Sequence, residues 1–321
     1  MRPSLRTLFG VFSFLLAGVA LSQDYPARPV RMLVPNAPGS SVDTMSRILS
    51  AKLGEALGQP VVVENRDGAG GLIGMDVGRK ASPDGYTLIC VSNGSMLIAP
   101  LLKKAPPYDA LNDFAHIGTY AVTPNVLVVN PQLPVNNVKQ LIEYARANRA
   151  TINMASAGIG SQSHLAGVLL MTMANFESLH VPHKGGGPSV NSVAAGQTHW
   201  TMVPAPAAMS FVKNGRLRAI GHSLPRRSAL LANMEPVAEA VAGYDFNGWA
   251  GLVAPKGTPR QIVDKVQAAM IKTLALPEVK DALAAQGAEI FAGSPEDFRR
   301  FLAAEIENTQ RVIKAANLQM E

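Results

Sequence analysis

Short apolar runs alternate with amphipathic stretches along most of the chain. Val30–Val34 is apolar and stops at Pro35, the pattern of a buried strand. Beyond the turn-rich stretch Pro35–Ser41, Met45, Ile48, Leu49, Leu53 and Leu57 recur at three- and four-residue spacing. That period predicts a helix, with Gly58 closing it. Val61–Val63 and Thr87–Val91 read as two further strands. Between them lie the glycine-rich stretch Glu64–Gly74, a helix through Val77–Ala81, and the turn Pro83-Asp84-Gly85, where Pro presets φ and Gly tolerates positive φ. Strand–helix–strand order predicts parallel strands with helices on the sheet faces.

A second unit of the same kind begins near Pro124. Val126–Val129, Ile152–Ala155, His180–Pro182, Trp200–Val203 and Leu217–Gly221 read as strands or extended pieces. Val135–Asn148, Leu165–Met173 and Val190–Ala195 read as helices. After Gly248-Trp249 the pattern is mainly helical, with helices starting at Thr258-Pro259 and at Pro295. Proline suits the first helical turn, whose N–H groups are unpaired anyway.

Composition narrows the class. The 321 residues suit about two domains at roughly 150 residues each. A hydrophobic fraction of 47% excludes a disordered chain, and a single cysteine excludes an internal disulfide framework. Cys90, inside an apolar run, reads as a small buried hydrophobe. The net charge of +6 is spread over separated pairs such as Lys103-Lys104, Arg226-Arg227 and Arg299-Arg300. No basic–aromatic platform for nucleic acid is legible. Arg2 and Arg6 precede the apolar run Leu8–Leu21, and Ala20-Leu21-Ser22 puts small residues three and one positions before a cut after Ser22. Residues 1–22 therefore read as a secretory signal peptide, with a membrane anchor as the other reading. The mature protein is expected outside the cytoplasm.

The informative chemistry lies in loops. Pro35–Asp43 follows a strand and opens a helix, so backbone N–H groups and a helix N-terminus converge on one point, a geometry that binds anions without lysine or arginine. Ser156–His164 repeats the arrangement, with Ser161 and Ser163 adding hydroxyls and Gly158 and Gly160 allowing a ligand to approach the backbone. Helix capping and a plain turn would explain either loop alone; two such loops in two α/β units point to a ligand cleft between them. Gly68-Ala69-Gly70-Gly71-Leu72-Ile73-Gly74 has its last glycine one position late for a dinucleotide fingerprint, and no acidic partner ends a strand about 20 residues on. His180 and His183 are separated by Pro182, and no metal or cofactor is expected.

Several stretches together carry a family likeness: Tyr25–Arg31, Pro35–Asp43, Leu57–Arg66, Gly68–Gly71, Pro83–Leu88, Gly158–Leu165, Val181–Gly185, Gly196-Gln197, Trp249, Ala254-Pro255 and Gly257–Pro259. In order and spacing the chain resembles the extracytoplasmic solute receptors of tripartite tricarboxylate transporters, the Bug receptors. The resemblance implies a two-lobed α/β fold, a type II-like Venus flytrap with a sheet flanked by helices in each lobe. It implies one domain from 23–123 and 249–321 and a second from 124–248, closing about crossings near Thr123-Pro124 and Gly248. It also implies a non-catalytic, monomeric receptor for a small organic carboxylate, delivering it to membrane transporter subunits. The expected contacts are Asn36, Pro38, Gly39, Ser40, Ser41 and Asp43 from the first lobe, with Ser92 and Asn93. From the second lobe they are Gly158, Gly160, Ser161, Gln162, Ser163, His164, His183, Val203 and Pro204. Family members often carry an aromatic residue in place of Asn36, Gly in place of Ser40, Tyr in place of His183 and Asp-Asn in place of Val203-Pro204. If that Asp meets a ligand amino group in some relatives, its loss here disfavours an amino-acid ligand and favours a plain mono- or dicarboxylate, aromatic ones included. Two rivals stand beside this reading: a sensor feeding a signalling partner, and a secreted hydrolase using Ser161 or Ser163 with His164 or His183.

Overall fold

A computed structural model describes residues 25–315 and 318. The signal peptide expected at 1–22 lies outside the described residues. The chain opens with β1 (Val30–Val34), α1 (Ser41–Leu57), β2 (Val61–Asn65), α2 (Leu72–Arg79) and β3 (Thr87–Ser92). The apolar stripe of α1 is buried at Met45, Leu49, Leu53 and Leu57, and Gly58 ends the helix in the left-handed conformation (φ 77°). A π-helical turn at Gly94–Ile98 runs into the short α3 (Ala99–Leu101), and the ten-residue β4 (Phe114–Thr123) follows. The helix expected at Val77–Ala81 begins five residues earlier, at Leu72.

Pro124 alone separates β4 from β5 (Asn125–Val129). The second unit continues with α4 (Val138–Ala147), β6 (Asn153–Ser156), α5 (Gln162–Ala174), β7 (Leu179–Pro182) and α6 (Gly186–Ala194). It is completed by β8 (Trp200–Pro204), α7 (Ala205–Lys213), β9 (Arg218–His222), β10 (Glu235–Pro236) and α8 (Val237–Ala240). The stretch after Gly248 does not begin with helix. It begins with β11 (Gly248–Pro255), buried along its whole length, and only then come α9 (Arg260–Ala275), α10 (Pro277–Ala284), β12 (Glu289–Ile290) and α11 (Pro295–Ala315).

Two six-stranded mixed sheets result, in the orders β12-β4-β11-β3-β1-β2 and β10-β9-β5-β8-β6-β7. In the first, β1 pairs parallel with β2 and β3, while β11 is inserted antiparallel between β3 and β4. Helices cover both faces. α1 and α9 pack Leu49, Leu53, Val266 and Met270 on one side of the first sheet; Met75, Phe298 and Leu302 cover the other. The second sheet lies between a core of Leu141, Leu165, Leu170 and Trp200 and another of Val190, Val193 and Met209. Cys90 is fully buried, and burial pushes its thiol up to about 12.

The lobes are joined in three places. β4 passes into β5, and Asn247 passes into β11, with Thr123 and Gly248 paired in register. Gly248 has no room for a side chain: a Cβ there would lie 2.5 Å from Thr123 Oγ1 and from Gln162 Nε2. A polar network surrounds these crossings. Gln162 Nε2 donates to Asn125 Oδ1 (3.1 Å), Ser223 Oγ to Asn247 Oδ1 (2.6 Å), and Asn93 Nδ2 to the Asn247 carbonyl (3.3 Å). The third connection is α11. Its start buries Phe298 and Leu302 in the first lobe, and its end buries Val312 and Ile313 in the core of the second.

Candidate ligand-binding cleft

A cleft of about 570 Å³ lies between the sheets. The segments at the C-terminal ends of three parallel strands in each lobe contribute to it. From the first lobe these are Pro35–Ala37 with Ser40–Val42 after β1, Asp67–Leu72 after β2, and Ser92 and Gly94 after β3. From the second they are Ala157–Ser163 after β6, His183–Gly186 after β7, and Pro204 with Ala207 after β8. In open α/β sheets the crevice beyond the carboxyl ends of the strands is where ligands bind.

These segments lead into helices, so several helix N-termini face one space: α1 and α2 from one lobe, α5, α6 and α7 from the other. First-turn amides lack intrahelical partners and carry a partial positive charge. Ser40 caps α1 through Asp43 N–H (3.3 Å), and Ser161 caps α5 through His164 N–H (3.2 Å). The cleft wall bears Asp67, Lys103 and Lys184 as its charged side chains. Three of its buried polar atoms have no partner: Asn36 Oδ1, Ser41 Oγ and His183 Nε2. Unpaired buried polar atoms are costly, so their convergence on one cavity marks groups held ready for something else. Burial holds the His183 imidazole below its usual range, which keeps it neutral at pH 7.

Of the expected contacts, Asn36, Ser40, Ser41, Ser92, Gly158, Gly160, Ser161, Gln162, Ser163, His183, Val203 and Pro204 line the cleft. Pro38, Gly39, Asp43, Asn93 and His164 do not. Pro38 and Gly39 are exposed at the rim, where Gly39 faces Gly187 of the other lobe. The buried Asp43 carboxylate turns back on its own loop and accepts from Gly39 N–H (2.9 Å), Arg47 Nε (3.0 Å) and Asn65 Nδ2 (2.9 Å). Burial pushes that carboxyl up, but the bonds from Arg47, Gly39 and Asn65 bring it net below its usual range. Asn93 belongs to the hinge network. His164 accepts from Gly160 N–H through Nδ1 (3.2 Å) and stacks on His180 with ring centroids 4.0 Å apart. Burial and the neighbouring His180 push His164 down to about 4. His180 in turn bonds Ser156 Oγ (2.6 Å), so this pair supports the Gly158–Gly160 turn from behind.

The serines are engaged as scaffolding. Ser163 Oγ accepts from Ala157 N–H (2.8 Å), and Ser161 Oγ lies 3.1 Å from Ser163 Oγ. Ser–His contact does occur, but between the fully buried Ser156 and His180, away from the cleft wall. Among the described residues no group of three or more His, Cys, Asp or Glu could hold a metal ion, and no helix is long and apolar enough to cross a membrane.

Sequence reasoning missed a large part of the wall: Asp67–Leu72, Ala99, Leu102, Ala207 and Leu318. The run Gly68-Ala69-Gly70-Gly71 was visible directly after a strand, and all four residues take positive φ. As a nucleotide motif it fails, and as part of the family likeness it carries no expected contact, yet it forms a loop of the cleft.

Two α/β lobes, a cleft at the strand ends and crossings at a polar hinge define a solute-binding protein of the flytrap class. The chain belongs to the tripartite tricarboxylate transporter family of receptors, whose sequence profile matches residues 45–318. Solved structures show the same fold. The periplasmic binding protein BugD is 32% identical with a TM-score of 0.88, covering 92% of this chain and 100% of BugD. A structure from R. palustris with adipate is 33% identical (TM-score 0.89; 92% and 99% covered). MatC from Rhodopseudomonas palustris with bound malate is 29% identical (TM-score 0.85; 90% and 100% covered). The family and these neighbours are binding proteins.

Proposed function

We propose that the protein is a periplasmic receptor that captures a small organic carboxylate in the interlobe cleft and delivers it to membrane subunits of a tripartite tricarboxylate-type transporter. The observation that carries this reading is the convergence of helix N-termini and three unpartnered polar atoms, Asn36 Oδ1, Ser41 Oγ and His183 Nε2, on one cavity. A carboxylate there accepts from first-turn amides of α1, α5 and α6, while neutral His183 donates from Nε2–H at the side. Adipate and malate, present in two neighbours, are carboxylates of the same chemistry. The lobe boundaries proposed are 23–123 with 249–321, and 124–248. The last turns of α11 are the exception, since they pack in the second lobe.

Ligand binds the closed form better than the open one and so drives closure. The rim contacts Gly39–Gly187 and Gly185–Ala37 are the surfaces that meet. The test is thermal unfolding of refolded, ligand-stripped protein against a panel of carboxylates, amino acids and esters. Binding at a hundredfold excess over Kd stabilises by about 2.7 kcal/mol, a clear shift in Tm. A shift confined to carboxylates supports the receptor; turnover of esters with no such shift sinks it.

A further inference from the structure

The three unpartnered atoms of the cleft are not alike in chemistry. Ser41 Oγ bears a hydroxyl proton, and neutral His183 donates from Nε2–H, so both serve an anion. Asn36 Oδ1 can only accept. The rest of the polar wall adds donors: the first-turn amides of α1, α5 and α6 and the ammonium groups of Lys103 and Lys184. An ionised carboxylate has acceptors alone. It answers every one of these groups except Asn36, where it would set oxygen against oxygen.

The local structure fixes Asn36 by its backbone and leaves its side chain out. The Asn36 carbonyl accepts from Asn65 Nδ2 (3.0 Å), which also reaches Asp43 Oδ1 (2.9 Å), so the main chain is tied into the loop that opens α1. Among the described residues neither end of the Asn36 amide is hydrogen-bonded. A buried acceptor without a partner is costly, and a ligand that brings a donor removes that cost. An ammonium group donates, but it brings positive charge to a wall of helix N-termini and two lysines, with Asp67 the one carboxylate among the charged side chains. A hydroxyl donates without charge, and its oxygen accepts in turn from the surrounding N–H groups.

Resting on the receptor reading above, we infer that the ligand is a hydroxycarboxylate and that Asn36 is the residue that selects it. The carboxylate sits at the N-termini of α1, α5 and α6, and the hydroxyl donates to Asn36 Oδ1. A site whose buried polar group is completed by a ligand hydroxyl discriminates strongly against the analogue that lacks it.

The experiment is calorimetric titration of the refolded, ligand-stripped chain with acids that differ by one hydroxyl: lactate and propanoate, 3-hydroxybutyrate and butyrate, malate and succinate. Alanine and aspartate serve as the ammonium counterparts. The tightest binder is expected to be hydroxylated, with its deoxy partner at least about tenfold weaker, about 1.4 kcal/mol. Asn36→Leu keeps the bulk of the side chain without the amide. It should weaken the hydroxy acid about tenfold and leave the deoxy acid within about twofold. The Tm of the ligand-free variant should not fall, since the amide holds no other residue, and the comparison of acids on the unaltered chain needs no variant. Three results overturn the inference and leave the carboxylate receptor standing: a tightest carboxylate of any kind that carries no hydroxyl, a deoxy acid equal to its hydroxy partner (as when a trapped water serves Asn36), or Asn36→Leu weakening both members of a pair equally. Failure of every carboxylate to bind overturns both.

Discussion

In the first lobe β3, β1 and β2 lie side by side and parallel; in the second β8, β6 and β7 repeat that order and direction. In each, an antiparallel strand, β11 or β5, follows on the same side. The three cleft loops of one lobe therefore correspond to those of the other, strand end for strand end. What the loops lead into differs. In the second lobe all three open helices of nine residues or more. In the first, the loop after β1 opens the long α1, the loop after β2 passes through a 3-10 turn into the eight-residue α2, and the loop after β3 leads into a π-helical turn. One scaffold thus carries two kinds of wall. The second lobe concentrates amide and hydroxyl donors, and the first supplies Leu72, Ala99 and Leu102.

This contrast can be broken by experiment, starting with acid. The His164–His180 stack supports only the second lobe's turn. His164 sits at about 4 when folded against 6.5 in its ordinary state, so the unfolded chain binds the extra proton between those values. Its contribution is full above pH 6.5 and is lost as pH falls toward 4, on the order of 3 kcal/mol in all. Unfolding midpoints across that window should fall less steeply in His164→Asn; equal slopes would remove the stack's role.

Next is the rim. Gly185 has φ +112°, and a Cβ there would lie 2.7 Å from Ala37 Cβ in the other lobe. Gly185→Leu adds backbone strain and blocks the approach of the lobes. Carboxylate affinity, read by titration, should fall about a hundredfold, about 2.8 kcal/mol.

Asp43→Asn strikes a side chain that is 5% exposed and accepts from Gly39 N–H, Arg47 and Asn65; its new NH2 meets a donor, so denaturant unfolding should show a loss of about 1–3 kcal/mol. The two serine positions divide the lobes more finely. Ser41 Oγ has no protein partner, so Ser41→Ala should cost affinity about fivefold, near 1 kcal/mol, without lowering the Tm of the ligand-free protein. Ser163 Oγ holds Ala157 N–H, so Ser163→Ala should lower Tm as well as affinity.

The legible parts of the molecule were those where local pattern and global role coincide. The period of α1, its Gly58 stop, the short strands β1 and β2, and the two anion-type loops all follow from neighbouring residues. β4 and β11 were not read because they lie in the centre of the sheet, buried on both sides, and lack the alternation that marks a half-buried strand. β4 even buries His116, Thr119 and Thr123. The start of α6 was hidden by Gly186-Gly187-Pro188, poor helix formers tolerated in a first turn. Within the site, spacing indicates loops that line the cleft but not side-chain direction. Asp43 and His164 face away from the cleft because each is spent on holding its own loop in shape.

The pairing of Thr123 with Gly248 has a mechanical meaning. Two of the three passages between lobes are not separate tethers but adjacent strands of one ribbon, cross-linked by backbone hydrogen bonds up to the point where they part. Such a ribbon bends easily across its flat face and resists both shear and torsion. In the proposed closure this ribbon is the spine about which the covers of the book turn, and Gly39 and Gly187 are the edges that meet.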